Sequence, residues 1–419
     1  MWKYKCKSQF ISLSVSFIVG VVLMFFTLSN DAVLSSGIFP KEVLTFIENN
    51  PFAIYLAGGF TVAGIVNVLL VGQLVINQFH VSPFLIFLVL MALPDYILLI
   101  GVLLVVPMYI LSIYGMISLK TTYATQMKSR NLTNDEELVR IYSIHHKLDE
   151  SYKEMAVQIR KNITKVTWIY MLGIVALFFV MILINNLWLV MGLIVFYMIA
   201  FNALLRYRAS LFTPIASLLY EKCDPEACAS AIIYYSTRRK KIKLSNQTLL
   251  AQCLIYLNDP QLAQDVLISF PKKDSSSILT YWTLIAYSSY LLKDEDALVR
   301  AKEEASRVKM NFGQTGVFIR SEELASIENK IHLMDGDLNE SKKFYLNALK
   351  KAVFPFQQVD SSYYIALISF VQEDYSLARM YFEKVVQLGN KMYFVENAKA
   401  YLEKIDRMNL QDVTEYEPY

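Results

Sequence analysis

Long unbroken runs of apolar residues fill the first half of the chain, and shorter helical patterns fill the second half. A run of about 20 apolar residues is long enough to cross the hydrocarbon core of a bilayer as a helix. The pattern predicts six spans, of which the last two form a hairpin at 166–205. The first four are predicted at ~10–29, ~52–73, ~76–94 and ~96–119.

The distribution of positive charge decides the number of spans in the first group. Residues 120–165 carry nine Lys and Arg residues, whereas residues 30–50 carry only Lys41. Because cytoplasmic loops are enriched in Lys and Arg, we place the N-terminus and residues 120–165 on the cytoplasmic side. An even number of spans must therefore lie between these two segments. Pro94 divides the longest apolar run into two helices, which gives four spans before residue 120. A re-entrant or interfacial segment at 83–94 is the alternative.

Polar side chains are rare within the predicted spans, and Asn67 and Asp95 are the two that we single out. An ionisable residue inside a bilayer is a functional hypothesis by default. Asp95 directly follows a proline that can end a helix, so a position at the membrane interface is the alternative. A set of small residues on the second span predicts close packing between helices; it consists of Ala57, Gly58, Gly59, Ala63 and Gly64.

A connector with its own helical pattern separates the two groups of spans. The stretch from Thr133 to Glu136 is typical of a helix start, and apolar residues follow at spacings of three and four up to Ile159. Such a heptad stripe favours a coiled coil, and a homo-oligomer through 134–163 is therefore expected. Packing on the repeat domain is the alternative. Adjacent residues of a helix face different sides, so we expect no metal site at the pair His145-His146.

Residues 206–410 contain five stretches in one register, each with an Asp in a turn and a small residue near the start of the next helix. The small residues are Cys228, Ala263, Ala297, Ser341 and Ala378, at spacings of 35, 34, 44 and 37. Further small residues precede three of them by about twelve positions, and bulky residues follow most of them by four. These are Ala216, Ala251 and Ala366, and Ile232, Leu267, Tyr345 and Phe382.

A period near 34 with two helices per unit resembles the tetratricopeptide repeat (TPR). The resemblance covers about 200 residues (~210–410), and we find no family resemblance in the membrane half. It implies a superhelix whose concave face binds peptides or helices of other proteins. Packing between repeats is the alternative role for Trp282 and Tyr363. The residues that the resemblance places in the peptide-binding groove are Tyr220, Gln252, Trp282, Lys330 and Tyr363.

Charge and composition add a lipid contact and exclude several functions. The 40 Lys and Arg residues nearly balance the 37 Asp and Glu residues, so nucleic-acid binding is not expected. We find no phosphate-binding loop, metal-binding helix or CxxC pair, and we therefore expect neither an enzyme nor a cofactor. Basic clusters near a membrane attract anionic headgroups, and the candidates are Arg206, Arg208, Arg238, Arg239, Lys240 and Lys241.

Together these patterns predict an all-α protein, in which a polytopic helical membrane domain is followed by a cytosolic TPR-like α-superhelix. We expect a non-catalytic scaffold that recruits partner proteins at the cytoplasmic face of a bacterial plasma membrane. The alternative is a transporter or membrane enzyme that the repeats regulate. The expected segments are a membrane domain at 1–119, the connector at 120–165, the hairpin at 166–205, the repeats at 206–410 and a tail at 411–419.

Overall fold

The computed structural model describes residues 2–28, 50–79, 89, 92–183, 187–238, 241–310 and 313–414. Over these residues the chain forms 18 α-helices and one two-stranded hairpin, so the predicted all-α class is confirmed. The chain divides into two compact units. The first comprises residues 1–128, 271–279 and 308–320, and the second comprises residues 129–270, 280–307 and 321–419.

In the first unit, helix α1 (Trp2–Leu28) packs along helix α2 (Pro51–Phe79). Glycines make the close approach possible. A Cβ atom added at Gly58 would lie 2.8 Å from the Met24 Cβ atom, and one added at Gly59 would lie 2.8 Å from the Phe17 ring. Bulky side chains would hold the two backbones apart, and the small-residue packing predicted for this span is therefore confirmed.

The next apolar stretch forms two helices, α3 (Pro94–Leu103) and α4 (Val105–Ser129). Pro94 occupies the first turn of α3, where the absence of a backbone N–H carries no cost. Pro107 explains the break between the helices, because its ring clashes with the carbonyl group four residues earlier and donates no hydrogen bond. The span predicted at 96–119 is therefore divided at Leu104, and its second part continues to Ser129.

Three helices of the described residues are long and apolar enough to cross a membrane: Trp2–Phe26, Phe52–Val75 and Val105–Ser129. They correspond to three of the four spans predicted before residue 120. The fourth, at ~76–94, falls largely on residues outside those that the structure describes.

The connector opens the second unit with helix α5 (Asp135–His145), which begins where the sequence predicts. The Asn134 side chain accepts a hydrogen bond from the Glu137 N–H at 3.1 Å, and the Glu137 carboxylate accepts one from the Thr133 N–H at 2.7 Å. The heptad stripe does not form one continuous helix. After a break and a 3₁₀ turn (Glu150–Tyr152), helix α6 runs from Lys153 to Leu183 and is followed by helix α7 (Leu187–Ser210).

Both connector helices pack on helices of the predicted repeat region. Helix α5 contacts helix α11 (Pro260–Ile268), and α6 contacts helix α9 (Pro225–Ser236). The heptad residues Leu138 and Ile159 are buried within the chain, at 1% and 7% exposure. The structure therefore shows the packed arrangement that the sequence left as the alternative, and pairing with a second copy stays a prediction.

The remaining helices follow one another closely. They are α8 (Thr213–Tyr220), α10 (Gln247–Tyr256), α12 (Ser275–Leu292), α13 (Glu295–Ser306), α14 (Gly313–Asp335), α15 (Leu338–Lys351), α16 (Pro355–Val371), α17 (Tyr375–Leu388) and α18 (Tyr393–Thr414). Strands β1 (Thr237–Arg238) and β2 (Lys241–Ile242) form an antiparallel hairpin between α9 and α10. Helix α18 includes the first four residues of the predicted tail, and residues 415–419 lie outside the described part of the chain.

One backbone turn recurs at all five Asp positions that the sequence singles out. The residue before each Asp has a positive φ between 51° and 80°, which ends the preceding helix in a left-handed cap. In four of the turns the Asp carboxylate accepts a backbone N–H three residues later and so begins the next helix. The five Asp residues are Asp224, Asp259, Asp294, Asp337 and Asp374.

The small-residue pattern is less regular than the turns. Cys228, Ala263 and Ala378 are fully buried four residues after their Asp. At the third turn this position is Leu298, which is buried at 1% exposure, while Ala297 is only partly buried. The small residue of the third stretch is offset by one position, and a leucine occupies the equivalent core position there.

Candidate functional site

The five predicted groove residues lie on five different helices, α8, α10, α12, α14 and α16, and the structure buries two of them. Lys330 is 4% exposed and Tyr363 is 6% exposed. The Tyr220 ring stacks on the Phe356 ring with their centroids 4.9 Å apart. Aromatic residues of the chain itself therefore contact the side chains that the TPR resemblance assigns to a peptide.

The last helices of the chain supply these contacts. The Tyr363 ring stacks on the Phe394 ring of α18 at 4.4 Å, and Phe394 also contacts Tyr256 of α10 at 5.9 Å. At the edge, the Asn390 side chain donates a hydrogen bond to the Lys222 carbonyl at 2.8 Å. The end of the repeat region thus packs back against its beginning, across more than 160 residues of sequence.

Lys330 lies inside a set of tyrosine rings. Its ammonium group donates a hydrogen bond to the Tyr345 hydroxyl at 2.8 Å. It also lies 3.7 Å from the centre of the Tyr287 ring and 4.1 Å from that of the Tyr364 ring. An ammonium group within about 6 Å of a ring centre is attracted by the ring quadrupole. The tyrosines therefore replace part of the hydration that Lys330 loses on burial.

Asp360 contributes negative charge to the same cluster. The Tyr287 hydroxyl donates a hydrogen bond to its Oδ1 atom at 2.5 Å. Burial raises the pKa of Asp360, and the charge of Lys330 opposes this shift. Burial also lowers the pKa of Lys330 to about 8, with Asp360 acting in the opposite direction. An amine with a lowered pKa is a potential nucleophile, but the burial of Lys330 keeps it from a substrate in this arrangement.

The other two predicted groove residues, Gln252 and Trp282, are partly exposed. Trp282 contacts Tyr281 edge to face at 4.9 Å, and Tyr281 stacks on Phe270 at 6.5 Å. We name Phe270, Tyr281 and Trp282 the aromatic patch. It keeps partial exposure, as Tyr287 beside Lys330 does, whereas Tyr345 and Tyr364 are buried.

The basic residues predicted to contact lipid headgroups lie near the end of α7 and on the β hairpin. Arg206, Arg208, Arg238 and Lys241 are exposed, and Arg239 and Lys240 lie outside the described residues. Phe212, which follows α7, packs edge to face on Tyr235 of α9 at 5.3 Å. The structure thus brings the end of α7 close to the helix that leads into the hairpin.

The two intramembrane candidates do not form a described site. Asn67 is fully buried, and its side-chain amide donates a hydrogen bond to the Gly101 carbonyl at 2.9 Å. This bond joins α2 to α3. Asp95 is the second residue of α3, and its side chain lies outside what the structure describes.

A second cluster joins the two adjacent histidines of the connector to the Asp of the second recurring turn. The His145 Nδ1 atom lies 2.6 Å from the Asp259 Oδ2 atom, and the His146 Nε2 atom lies 3.2 Å from the same oxygen. The pKa of Asp259 is lowered by hydrogen bonds from the imidazoles and the Leu262 N–H, which together outweigh the opposing effect of burial.

The sequence argument missed this cluster because it placed both histidines within one helix. His145 is the last residue of α5, whereas His146 has an extended backbone with φ −134° and ψ 158°. The two imidazoles can therefore approach one carboxylate. No local signal in the sequence marks this break, because the apolar spacing continues past the pair up to Ile159.

None of the protein-family models, curated proteins and solved structures with which the chain was compared matches it.

Proposed function

We propose that the protein is a membrane-anchored helical scaffold, in which the TPR-like repeats hold partner proteins at the cytoplasmic face of the membrane and catalyse no reaction. One observation carries the proposal. Helix α6 is continuous from the surface of the repeats into a strongly apolar segment, so a single rigid element serves both regions.

The first part of α6 is fastened to the repeats. Ala156 and Ile159 are buried, and the Arg160 guanidinium donates hydrogen bonds to the carbonyl groups of Tyr234, Tyr235 and Thr237. These carbonyls belong to the end of α9, where the helix leaves acceptors without internal partners. A positive side chain there also interacts favourably with the helix dipole.

The second part of α6 has the character of a membrane helix. Its apolar residues, 166–183, correspond to about 27 Å, which is close to the roughly 30 Å of a hydrocarbon core. Trp168 and Leu172 are 65% and 63% exposed. Tyr170 of α6 stacks on Phe201 of α7 at 4.5 Å, which supports the hairpin predicted at 166–205. With this hairpin and the helices of the first unit, the protein would be multi-pass.

The aromatic patch is the surface that we assign to a partner. Trp and Tyr are enriched among the residues that contribute most of the binding energy near the centre of protein interfaces. The other aromatic residues of the predicted groove already pack against the chain itself. Trp282 and its neighbours in the aromatic patch are therefore the part of the groove that we expect a partner to contact. Rigid attachment through α6 would raise the local concentration of a bound client near other membrane proteins.

Site-specific photo-crosslinking in the native membrane tests this proposal. A photoreactive phenylalanine analogue replaces Trp282 in the full chain, and a matched variant carries it at Lys343, an exposed position of α15. We expect discrete crosslinked species at position 282 and none at 343. The same species from both positions, or none from either, would contradict the scaffold proposal.

A partner that crosslinks only through α1, α2 or α4 would favour the alternative, in which the membrane helices carry the activity and the repeats regulate it. The cytoplasmic placement and the bacterial plasma membrane are part of the proposal. Accessibility of a cysteine at Lys343 to a membrane-impermeant reagent, from one side of the membrane only, tests the orientation.

A further inference from the structure

The cluster at the end of α5 has the composition of a metal site. His145, His146 and Asp259 each offer one ligand atom, and the three atoms lie within 4.8 Å of one another. We propose that these three residues bind a divalent transition-metal ion, with zinc the best fit to two imidazoles and one carboxylate.

The two distances from the imidazole nitrogens to the carboxylate oxygen are close to those of a zinc site. Zinc bonds to imidazole nitrogen and carboxylate oxygen at about 2.0–2.2 Å, so the ligand atoms of a tetrahedral site lie roughly 3.3 Å apart. The His146 Nε2 to Asp259 Oδ2 distance of 3.2 Å already matches this value. The His145 Nδ1 atom, now 2.6 Å from Oδ2, must move away by less than 1 Å.

The surroundings hold the ligands in place and leave one coordination position open. The Asp259 Oδ1 atom accepts the Leu262 N–H at 3.2 Å, which orients the carboxylate and leaves Oδ2 for the ion. The Tyr142 ring packs against the His146 ring at 5.2 Å. The His145 side chain is 49% exposed, so solvent can reach the ion and supply a fourth ligand.

The local charge also favours a cation. Asp265 lies on α11, close enough to Asp259 for the two charges to interact, and the Arg130 guanidinium lies 3.8 Å from its carboxylate. The two carboxylates exceed the single Arg by one negative charge. A divalent ion would therefore offset charge that is already present.

Such an ion would fasten the connector to the repeats. Its ligands come from the C-terminal end of α5 and from the turn between α10 and α11, both within the second unit. Metal binding would stabilise the folded state, and the gain would grow with the logarithm of the free metal concentration once this exceeds Kd. The site is therefore independent of the proposed scaffold function and does not rely on the aromatic patch.

Metal titration of the full chain tests the proposal. The protein is purified in detergent through a tag without histidine and stripped with a chelator. Zinc is then added in competition with a chromophoric chelator, and cobalt is added as a spectroscopic probe of coordination geometry. We expect one ion per chain and the visible absorption of four-coordinate cobalt.

Three variants locate the ion. His145→Ala removes one ligand, His146→Gln keeps a hydrogen-bond donor for Asp259, and Asp259→Asn keeps the helix cap while it removes the charge. Each should weaken zinc binding by more than about tenfold, since even changes behind the ligands cost that much. His332→Ala is the matched control, because His332 contacts Asp337 of the fourth recurring turn at 3.4 Å without a second histidine.

Circular dichroism of the metal-free variants checks that each is folded. Saturable zinc binding that is lost in the three variants and kept in His332→Ala supports the site. Two results would overturn it. One is the absence of saturable binding by the native chain, which would leave the cluster as hydrogen bonds alone. The other is binding that the three variants do not change.

Discussion

The α1–α2 interface and the interior of the repeats are both apolar, yet they are packed in opposite ways. Glycines let the backbones of α1 and α2 approach until an added methyl group would overlap them. In the repeats, large rings such as Tyr364 and Phe394 fill the space between helices, and polar atoms of the rings bond to buried partners.

The difference reflects the driving force available to each region. Helices in lipid gain no hydrophobic energy by associating, so they depend on close contact between small residues. Helices in water gain about 25 cal/mol for each Å² of apolar surface that they bury, which favours large side chains. The close glycine contacts agree with the finding that α1 and α2 are long and apolar enough to cross a membrane.

The largest expected effect comes from removing a ring of the repeat interior. Phe394→Ala should lower the free energy of unfolding by about 3–5 kcal/mol, because the fully buried ring leaves a cavity between four aromatic neighbours. Pulse proteolysis of the full chain in detergent, over a series of urea concentrations, measures this. Val371→Ala, at a position 59% exposed, should stay within about 0.5 kcal/mol of the native chain. Equal losses in the two variants would contradict the packing described here.

The burial of Lys330 predicts that the free energy of unfolding depends on pH, an effect that the glycines of the α1–α2 interface cannot cause. Burial lowers the pKa of Lys330 to about 8 in the folded state, from 10.5 for an exposed lysine. Between these values the unfolded chain binds more protons than the folded chain, so the free energy of unfolding rises with pH. The contribution of Lys330 is up to about 3 kcal/mol. It is opposed above about pH 8.5, where cysteines and then tyrosines of the unfolded chain begin to ionise.

Urea unfolding at pH 7, 8, 9 and 10 measures the rise, which should become smaller in Lys330→Met. Part of it should remain, because burial also lowers the pKa of Lys272 to about 8. Lys302→Met is the control, because Lys302 is a half-exposed partner of Glu328. A rise of unchanged size in Lys330→Met would assign the pH dependence to another group.

Adding a methyl group to a glycine tests how closely α1 and α2 approach each other. Gly20→Ala would place a Cβ atom against the Gly58 carbonyl oxygen, and we expect a loss of about 1–3 kcal/mol from overpacking. Gly192→Ala meets no atom within 4 Å and should be neutral or slightly stabilising, since alanine favours helices. Thermal unfolding midpoints in detergent compare the two. A tolerant Gly20→Ala would mean that α1 and α2 do not approach as closely as described.

The smallest expected difference lies within the recurring turns. Asp374→Ala should cost about 1 kcal/mol, because its carboxylate caps α17 through the Leu377 N–H at 3.2 Å. Asp337→Ala should cost less, because in the described structure Asp337 makes no side-chain hydrogen bond to the start of α15. Amide exchange in the first turn of each helix distinguishes them. Asp374→Asn should behave as the native chain, and a loss in that variant equal to the loss in Asp374→Ala would point to charge rather than capping.

Several elements follow from local sequence. The start of α5 at Asn134 and the five recurring Asp turns depend on short-range hydrogen bonds, and the sequence predicts their positions. The small residues of α2 follow from composition. The position of the break at Leu104 does not, although Pro107 causes it, because the cost of a proline is distributed over the preceding turn.

The candidate sites depend on contacts that no local pattern contains. A lysine and a tyrosine at groove positions look accessible in the sequence, but α16 and α18 return to contact helices more than 100 residues earlier. The histidine pair looks divergent until the backbone at His146 becomes extended.

The sequence alone determined the all-α class, the apolar helices long enough for a membrane and the register of the recurring turns, since these depend on side-chain periodicity and neighbouring hydrogen bonds. Tertiary structure alone decided that Lys330 is enclosed by tyrosines and that His145, His146 and Asp259 converge. Such clusters depend on which distant helices come together. That choice is made by the summed burial and packing of the chain, so no single motif along it can specify the outcome.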